Sequence, residues 1–474
     1  MRCLLALVVA AVVLAVVLWW VVFRPAPKPP EPLRASPLAG LGSSADQPSL
    51  APDGSRVAFI SNLEQATNLD VYVTPVGRGA ALRLTRHPAR EYSPAWSADG
   101  RRIAFLRAAH GAASPSDVVV MPVAGGPERK VGEVRLQPDS PFLPGPFLCW
   151  TPDSSALVIT DRETPEDRPS LFLLSVETGA KRRITSPPLG TPGDSGPSFS
   201  PDGHTLAFAR FVGFAVGDIY VLPLTAEFLP AADAGRRTYE NRFNAMTAWT
   251  PDGKEIVYSS YWGGRYGLYR VKSGGPEAPQ RLETVGQDGT FPSLSAQARR
   301  LVYARGRAGA EAFHGFADLA PDGKRRAFAS TRSGQLEVWT CAADGADCAQ
   351  RTSLGAGFSG FPRWSPDGQY LVFFSNVAGQ NEVYVIPASG GRPRRLTEDP
   401  GDDILPAWSP DGRWMYFLSS RTGRYQAWKV RAFGADLRPV QVTRQEEAAA
   451  AGRIGSFTRV EAQAGELMVV DQFR

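Results

Sequence analysis

Histidine, cysteine and methionine are scarce in this chain: four, four and five among 474 residues. Four cysteines are too few for a disulfide scaffold. The four histidines, His87, His110, His204 and His314, lie in no recognisable general-base motif and do not cluster with cysteine or carboxylate at metal-ligand spacing. A large excess of one charge is also lacking. Lys plus Arg number 52 against 47 Asp plus Glu, a net charge of +5, and the basic residues are dispersed, so no nucleic-acid tract is present and direct nucleic-acid binding is not expected. Paired arginines (Arg101/Arg102, Arg182/Arg183, Arg299/Arg300, Arg394/Arg395) recur at repeat positions, where solvated strand faces are the expected setting. No Gly-x-Ser-x-Gly elbow occurs. The fragment Gly193-Asp-Ser-Gly-Pro197 resembles the loop around a trypsin-like nucleophilic serine, but it falls in the connector before Phe199-Ser-Pro-Asp-Gly203 and reads as turn residues.

What is abundant is hydrophobic residue (43%), glycine (47), proline (41) and aromatic residue (24 Phe, 13 Tyr, 11 Trp). That mixture belongs to a globular protein of many short strands and tight turns. The 21 residues from Cys3 to Phe23 carry no charge, and Trp19 and Trp20 stand near their far end. This run is long enough to cross a bilayer, and Phe23-Arg24-Pro25-Ala26 is a poor cleavage site. Residues 1–24 are therefore expected to form an uncleaved transmembrane helix, with residues 25–32 a proline-rich stalk and the body periplasmic or otherwise outside the cytoplasm.

A tetrapeptide, Ser/Thr/Ala-Pro-Asp-Gly, recurs with its Asp at Asp53, Asp202, Asp252, Asp322, Asp367 and Asp411, in altered form at Asp99 and Asp153, and eroded at Gln297. The usual spacing, near 45, is the length of four short strands. Three residues before each marker stand Leu50, Trp96, Trp150, Phe199, Trp249, Leu294, Leu319, Trp364 and Trp408; six after it stand Phe59, Phe105, Ile159, Phe208, Tyr258, Tyr303, Phe328, Phe373 and Phe417. Two fixed offsets filled by large apolar residues at every copy define a register. Within it, Pro presets φ, Asp bonds nearby amides and Gly accepts positive φ, so each marker Asp is first a turn residue between antiparallel strands. Third strands follow, as in Asp70-Val-Tyr-Val and Glu382-Val-Tyr-Val, and fourth strands, as in Leu82-Arg-Leu-Thr and Arg394-Arg-Leu-Thr. Four antiparallel strands per unit, repeated about an axis, make an all-β propeller.

The copies Pro406-Ala-Trp-Ser-Pro-Asp-Gly-Arg-Trp-Met-Tyr-Phe and Pro362-Arg-Trp-Ser-Pro-Asp-Gly-Gln-Tyr-Leu-Val-Phe resemble the WD-like repeats of the TolB-like propellers. The resemblance covers residues 33–474. The order of repeats is also similar to the propeller of bacterial regulators that carry a winged-helix domain before a membrane span, a domain with no counterpart ahead of this span.

The repeat breaks between Gln297 and Asp322, where only 25 residues separate two markers and a unit has its first two strands alone. Arg326 there replaces an otherwise aliphatic residue, so local strain or rearrangement is expected. Residues 465–470 read as a third strand with no fourth after it, and residues 33–36 resemble a fourth strand; the two are expected to pair and complete the last blade. A single ring of about eight blades is expected, with seven blades or two adjoining rings as alternatives.

Five carboxylates precede first strands: Asp46, Glu91, Asp194, Asp288 and Asp403, with Asp402 beside the last. If first strands line the axis, these form an acidic mouth suited to a divalent cation or a basic group on a peptide; alternatively each caps its own loop. No cofactor is otherwise implied. Cys341 and Cys348 flank a short hairpin and could form a disulfide outside the cytoplasm, while Cys149 is expected in the core. The functional expectation is a non-catalytic, membrane-anchored propeller of the bacterial envelope that binds a protein or peptide. Alternatives are the sensory part of a transmembrane regulator acting through a separate DNA-binding protein, and a metal-dependent propeller hydrolase.

Overall fold

The computed structural model of the chain describes residues 33–38, 45–305, 314–442 and 466–473, apart from short stretches inside them such as 109–114 and 137–144. Among the described residues every regular element is a β-strand, and the strands form nine four-stranded antiparallel sheets. The membrane span expected at 1–24 and the stalk at 25–32 lie outside the described residues. Among the described residues, no helix is long and apolar enough to cross a membrane.

Eight sheets are contiguous meanders: I (45–83), II (91–134), III (148–183), IV (193–236), V (243–281), VII (314–350), VIII (359–395) and IX (403–441). Sheet VI is composite. Its first two strands, Gly289–Ser295 and Arg300–Arg305, are joined by Glu466–Val470 and then by Ala35–Pro37. Arg305 pairs with Glu466 and Leu301 with Val470, while Ala35 pairs with Val470 from the other side. The half unit at Gln297 and the strands from the two ends of the described body are thus one sheet.

This corrects the expected blade count and closure. There are nine sheets rather than about eight, and the terminal strands complete sheet VI rather than the sheet nearest the C-terminus. The physical reason is that a half sheet with an open edge takes whichever strands bring free backbone donors and acceptors to it. Arg326 itself keeps an unbroken antiparallel register with Cys341.

First strands of successive sheets touch in cyclic order, I–II–III–IV–V–VI and back to I. Six sheets therefore close on themselves, with their first strands as the inner wall. Bonds between neighbours confirm the seam: the amide of Leu50 donates to Ser293 Oγ (2.9 Å), Ser295 Oγ to Pro52 O (2.5 Å) and Arg300 Nη1 to Gly54 O (2.6 Å). Sheets VII, VIII and IX lie between Arg305 and Glu466 in sequence and contact one another in that order as a separate array. A single ring holding every sheet is accordingly overturned.

The core lies between sheets. Phe59, Val57 and Tyr72 of sheet I pack with Val302, Leu467 and Val469 of sheet VI; Leu371, Phe373 and Ile386 of sheet VIII pack with Ala327 and Val338 of sheet VII. Second strands within the ring, such as Ala156–Asp161, are buried along their whole length because both faces meet a neighbour.

Candidate functional site

The turn markers build the rim. In all eight Asp-bearing copies Oδ1 accepts the amide two residues on, at 2.9 Å for Asp53 and Asp322, 3.0 Å for Asp99, Asp153 and Asp367, 3.1 Å for Asp202 and Asp411, and 3.2 Å for Asp252. In six, the hydroxyl two residues before also donates to the carboxylate, as Ser409 does to Asp411 (2.5 Å). These donors hold the Asp202, Asp252, Asp367 and Asp411 carboxyls below the usual carboxylate range. The following glycine has positive φ, 69° at Gly54 and 68° at Gly412, and Ser154 adopts 58° where glycine is missing. These aspartates are turn-forming groups, each with Oδ1 engaged.

Six residues before the marker, first strands carry a bulge. Gln47, Ser93, Met246, Phe291, Phe361 and Leu405 have φ between 50° and 59°, and Gly196 has 68°. Register slips there in both ring and array. A bulge turns the strand and re-aims its side chains. In the ring the bulges also bond to one another: Gln47 Oε1 accepts from the amide of Ser93 (2.6 Å), Ser93 Oγ accepts from the amide of Phe147 (3.1 Å), and Thr247 donates to Gly196 O (3.0 Å). The inner wall is a stitched belt.

The proposed acidic mouth lies beside this belt. Glu91 and Asp194 occupy the same register position on sheets II and IV, and both are fully buried. Glu91 Oε1 takes Arg107 Nε and Nη2 at 2.9 and 2.6 Å, and Oε2 takes the Thr85 hydroxyl. Asp194 is held bidentately by Arg210, at 2.7 and 2.9 Å. Asp46 is offset by one residue, and its Oδ1 accepts the adjacent Gln47 amide (2.8 Å). Asp288, at the start of sheet VI, has φ of 54° and donates its amide to Tyr266 O (3.1 Å). Asp403 repeats the arrangement with Arg421 (3.2 and 3.0 Å), but on sheet IX, outside the six-sheet cycle. Asp402 Oδ1 accepts from the Asn381 amide and Nδ2, at 3.0 and 3.1 Å. Burial pushes Asp46 up to about 6 and Glu91 up to about 7, the latter against the opposing pull of Thr85 and Arg107. The carboxylates do not converge: among the described residues no group of three metal-capable side chains comes together.

A second set of carboxylates escaped the sequence reading. The third strand carries a buried acid in several sheets, at its first residue in Asp70, Glu337 and Glu382 and at its third in Asp218. The fourth-strand arginine reaches it: Arg83 to Asp70 (2.7 Å), Arg236 to Asp218 (2.6 Å), Arg395 to Glu382 (2.5 Å). The fourth-strand threonine does two jobs. Its Oγ1 accepts the third-strand amide, from Val71, Leu171, Ile219, Val338 and Val383 at 2.8–3.0 Å. Its hydroxyl donates to a carboxylate, Thr397 to Glu382 (2.5 Å) and Thr352 to Glu337. The signal was present as a separation of 13 residues from acid to arginine in Asp70/Arg83 and Glu382/Arg395, lengthened to 18 in Asp218/Arg236. Arg395 and Arg83 are thus structural clasps, and Arg102 lies over the Trp150 ring at 4.7 Å; neither the second arginine of the 101/102 pair nor that of the 394/395 pair is merely solvated.

Ser195, in the trypsin-like fragment, is buried in the strand Gly193–Phe199 rather than in a connector loop, and its neighbour Asp194 is engaged by Arg210. Cys341 and Cys348 face one another with Cα atoms 4.1 Å apart and sulfurs at bonding distance. Cys149 is half-buried and packs beside Leu171 and Phe208, where burial pushes its thiol up.

Comparison with known proteins agrees with this architecture. The PD40 family, the TolB beta propeller domain, matches residues 136–318 and 348–471, about two thirds of the chain. The chain is 28% identical over 207 residues to the uncharacterized peptidase YuxL of Bacillus subtilis (strain 168), covering 35% of this chain and 29% of that protein. It is 29% identical over 160 residues to a TolB homolog of Chlorobium luteolum (strain DSM 273 / BCRC 81028 / 2530), covering 33% and 32%. It thus spans about a third of the length of these two relatives. Among solved structures, TolB from Acinetobacter baumannii aligns with TM-score 0.33 and 20% identity over 70% of this chain and 77% of that one. With nine sheets of the propeller type and a family match over most of its length, this chain belongs to the TolB beta propeller domain family.

Proposed function

We propose that the chain is a non-catalytic recognition scaffold that holds a protein or peptide partner on the loops around its closed ring, outside the cytoplasm and tethered by the apolar run at residues 3–23. The observation that carries the reading is the occupation of its mouth carboxylates. Glu91 and Asp194 have their oxygens filled by Arg107, Thr85 and Arg210 from the same or the adjoining sheet. Groups engaged in this way stiffen a surface and offer little to a reacting substrate. A stiff belt with loops projecting from it suits docking, because the interface loses little conformational freedom on binding. Family membership favours a protein partner, and the Cys341–Cys348 juxtaposition suits an oxidising compartment.

The test is photo-crosslinking of the full chain in its membrane from positions in the mouth loops, identification of the captured protein, and reconstitution of binding with both purified components. Saturable binding that is lost when the mouth loops are altered is expected. Turnover of an ester, lactone or peptide panel by highly purified chain, abolished by Asp194→Asn, would overturn the reading.

A further inference from the structure

The array of sheets VII, VIII and IX stops at three, fewer than the four to eight blades at which propellers close. The same repeat closes at six in the other part of the chain, so three sheets are half of a ring this sequence demonstrably makes. The residue three before each marker is buried or half-buried in every sheet that has a sheet before it. Trp96, Trp150, Trp249, Trp364 and Trp408 are 4–7% exposed and Leu50 is 6% exposed, each with a sheet before it. Phe199 and Leu294 are half-buried. Leu319 of sheet VII, which has no sheet before it in the array, is 57% exposed.

The other end of the array shows the complementary defect. Strand Trp414–Ser419 of sheet IX alternates: Met415 and Phe417 are fully buried against sheet VIII, whereas Trp414 and Tyr416 are only half-buried. In three sheets the residue three after the marker is an arginine that covers the Trp of the following sheet: Arg56 over Trp96 (5.1 Å), Arg102 over Trp150 (4.7 Å) and Arg325 over Trp364 (4.6 Å). In sheet IX that residue is Trp414, whose ring carries Arg431 (4.8 Å) and Lys429 (5.2 Å) of its own sheet and which, among the described residues, has no following sheet to cover. The exchange is complementary: a broad aromatic at the covering position would meet a small aliphatic, Leu319, at the covered one. Charge agrees. Residues 403–441 hold six basic and three acidic residues, +3, and residues 314–350 hold four and five, −1.

We propose that a second copy of this chain completes the array, sheet IX of each copy docking on sheet VII of the other so that two three-sheet arcs close a six-sheet ring across a two-fold axis. Such pairing is closed, because both unpartnered faces of each copy are satisfied at once and no third copy can add. It is independent of the docking function argued above, which concerns the ring made within one chain.

The test is the molar mass of the full chain in detergent, measured by light scattering over a concentration series, for the native chain, Leu319→Arg and Trp414→Asp. A dimer is expected for the native chain, and a shift to monomer for both variants, with the Leu319→Arg monomer still unfolding cooperatively, since Leu319 is exposed within one copy. Leu319→Cys and Trp414→Cys chains carrying different tags, expressed together, should crosslink to each other. A native chain that is monomeric at every concentration overturns the proposal, as does a dimer that survives both substitutions, which would place the contact in residues 3–23 or elsewhere.

Discussion

The ring and the three-sheet array are written in the same repeat yet end differently. Both use the Asp-capped turn, the left-handed bulge six residues earlier and the carboxylate–arginine pair beside it, seen as Asp194–Arg210 in one and Asp403–Arg421 in the other. What the ring has and the array lacks is sheet VI, assembled from a mid-chain hairpin and the strands at the two ends of the described body. Closure is therefore not a property of the repeat. It depends on where otherwise unpaired edge strands are delivered, and among the described residues the array receives none.

The sharpest way to break this comparison is to damage the seam alone. Leu467 is fully buried between sheets I and VI and pairs with Ala304. Leu467→Asp places an unpaired charge there and should cost at least about 4 kcal/mol. Urea unfolding followed by hydrogen exchange is expected to show early opening of the ring sheets with sheets VIII and IX still protected. Val430→Asp, at a fully buried position of sheet IX, should give the converse. Simultaneous loss of protection everywhere in either variant would mean that the two regions unfold as one unit.

A pH series separates the regions more gently. Burial pushes Glu91 in the ring and Glu382 in the array up to about 7. A carboxyl with a raised folded pKa binds its proton more tightly in the native state, so its contribution is fully present below the unfolded value near 4.5 and is lost as pH rises through about 7. Stability should thus be lower at pH 8 than at pH 5, by an amount on the order of 2 kcal/mol per group. Glu382→Gln should flatten that slope for the array only and Glu91→Gln for the ring only. A slope unchanged in both variants would assign the titration to other groups.

The cysteines at 341 and 348 offer a lever that exists only in the array. Unfolded, unreduced protein isolated from an oxidising compartment should show two reactive thiols of four, Cys3 and Cys149. Reduction should then weaken the array by ~2 kcal/mol, as expected for so short a loop, and leave the ring unchanged. Four reactive thiols would show that the pair is not formed.

Local features of this fold were legible in the sequence because they are set by local chemistry. The markers, the apolar residues three before and six after them, and the third and fourth strands all follow from turn geometry and alternation. The bulges were not legible, because a left-handed φ normally advertises itself as glycine and only Gly196 does so, whereas Gln47, Ser93, Met246, Phe291, Phe361 and Leu405 adopt it with a side chain. Sheet VI was not legible as one unit because its strands are separated by 161 residues between Arg305 and Glu466, and edge pairing at that distance leaves no local trace. The acidic residues were found, but their partners Arg107 and Arg210, each 16 residues on, were not, and the partners convert a candidate ion site into structural pairs.

The smallest expected effect tests what sets one sheet beside the next. Trp150, Trp249, Trp364 and Trp408 donate the indole N–H to the carbonyl of Ala95, Ser198, Asp318 and Arg363, at 3.0, 3.1, 3.2 and 3.2 Å, the same register position of the preceding sheet each time. Trp96 is buried in the same place, yet its indole N–H has no partner; sheet I instead presents Ser49, whose hydroxyl accepts the Trp96 backbone amide (3.1 Å). Trp→Phe removes similar volume at Trp96 and Trp408, so the transfer and cavity contributions largely cancel in the comparison. At Trp408 the change also removes the indole bond to the Arg363 carbonyl, whereas at Trp96 it removes a donor that was already unsatisfied. Trp408→Phe should therefore destabilise its region by about 1 kcal/mol more than Trp96→Phe does its own, read as the difference in denaturant midpoints at constant m. Equal losses would show that shape alone seats each sheet on its neighbour, and that the indole bond follows the packing instead of directing it.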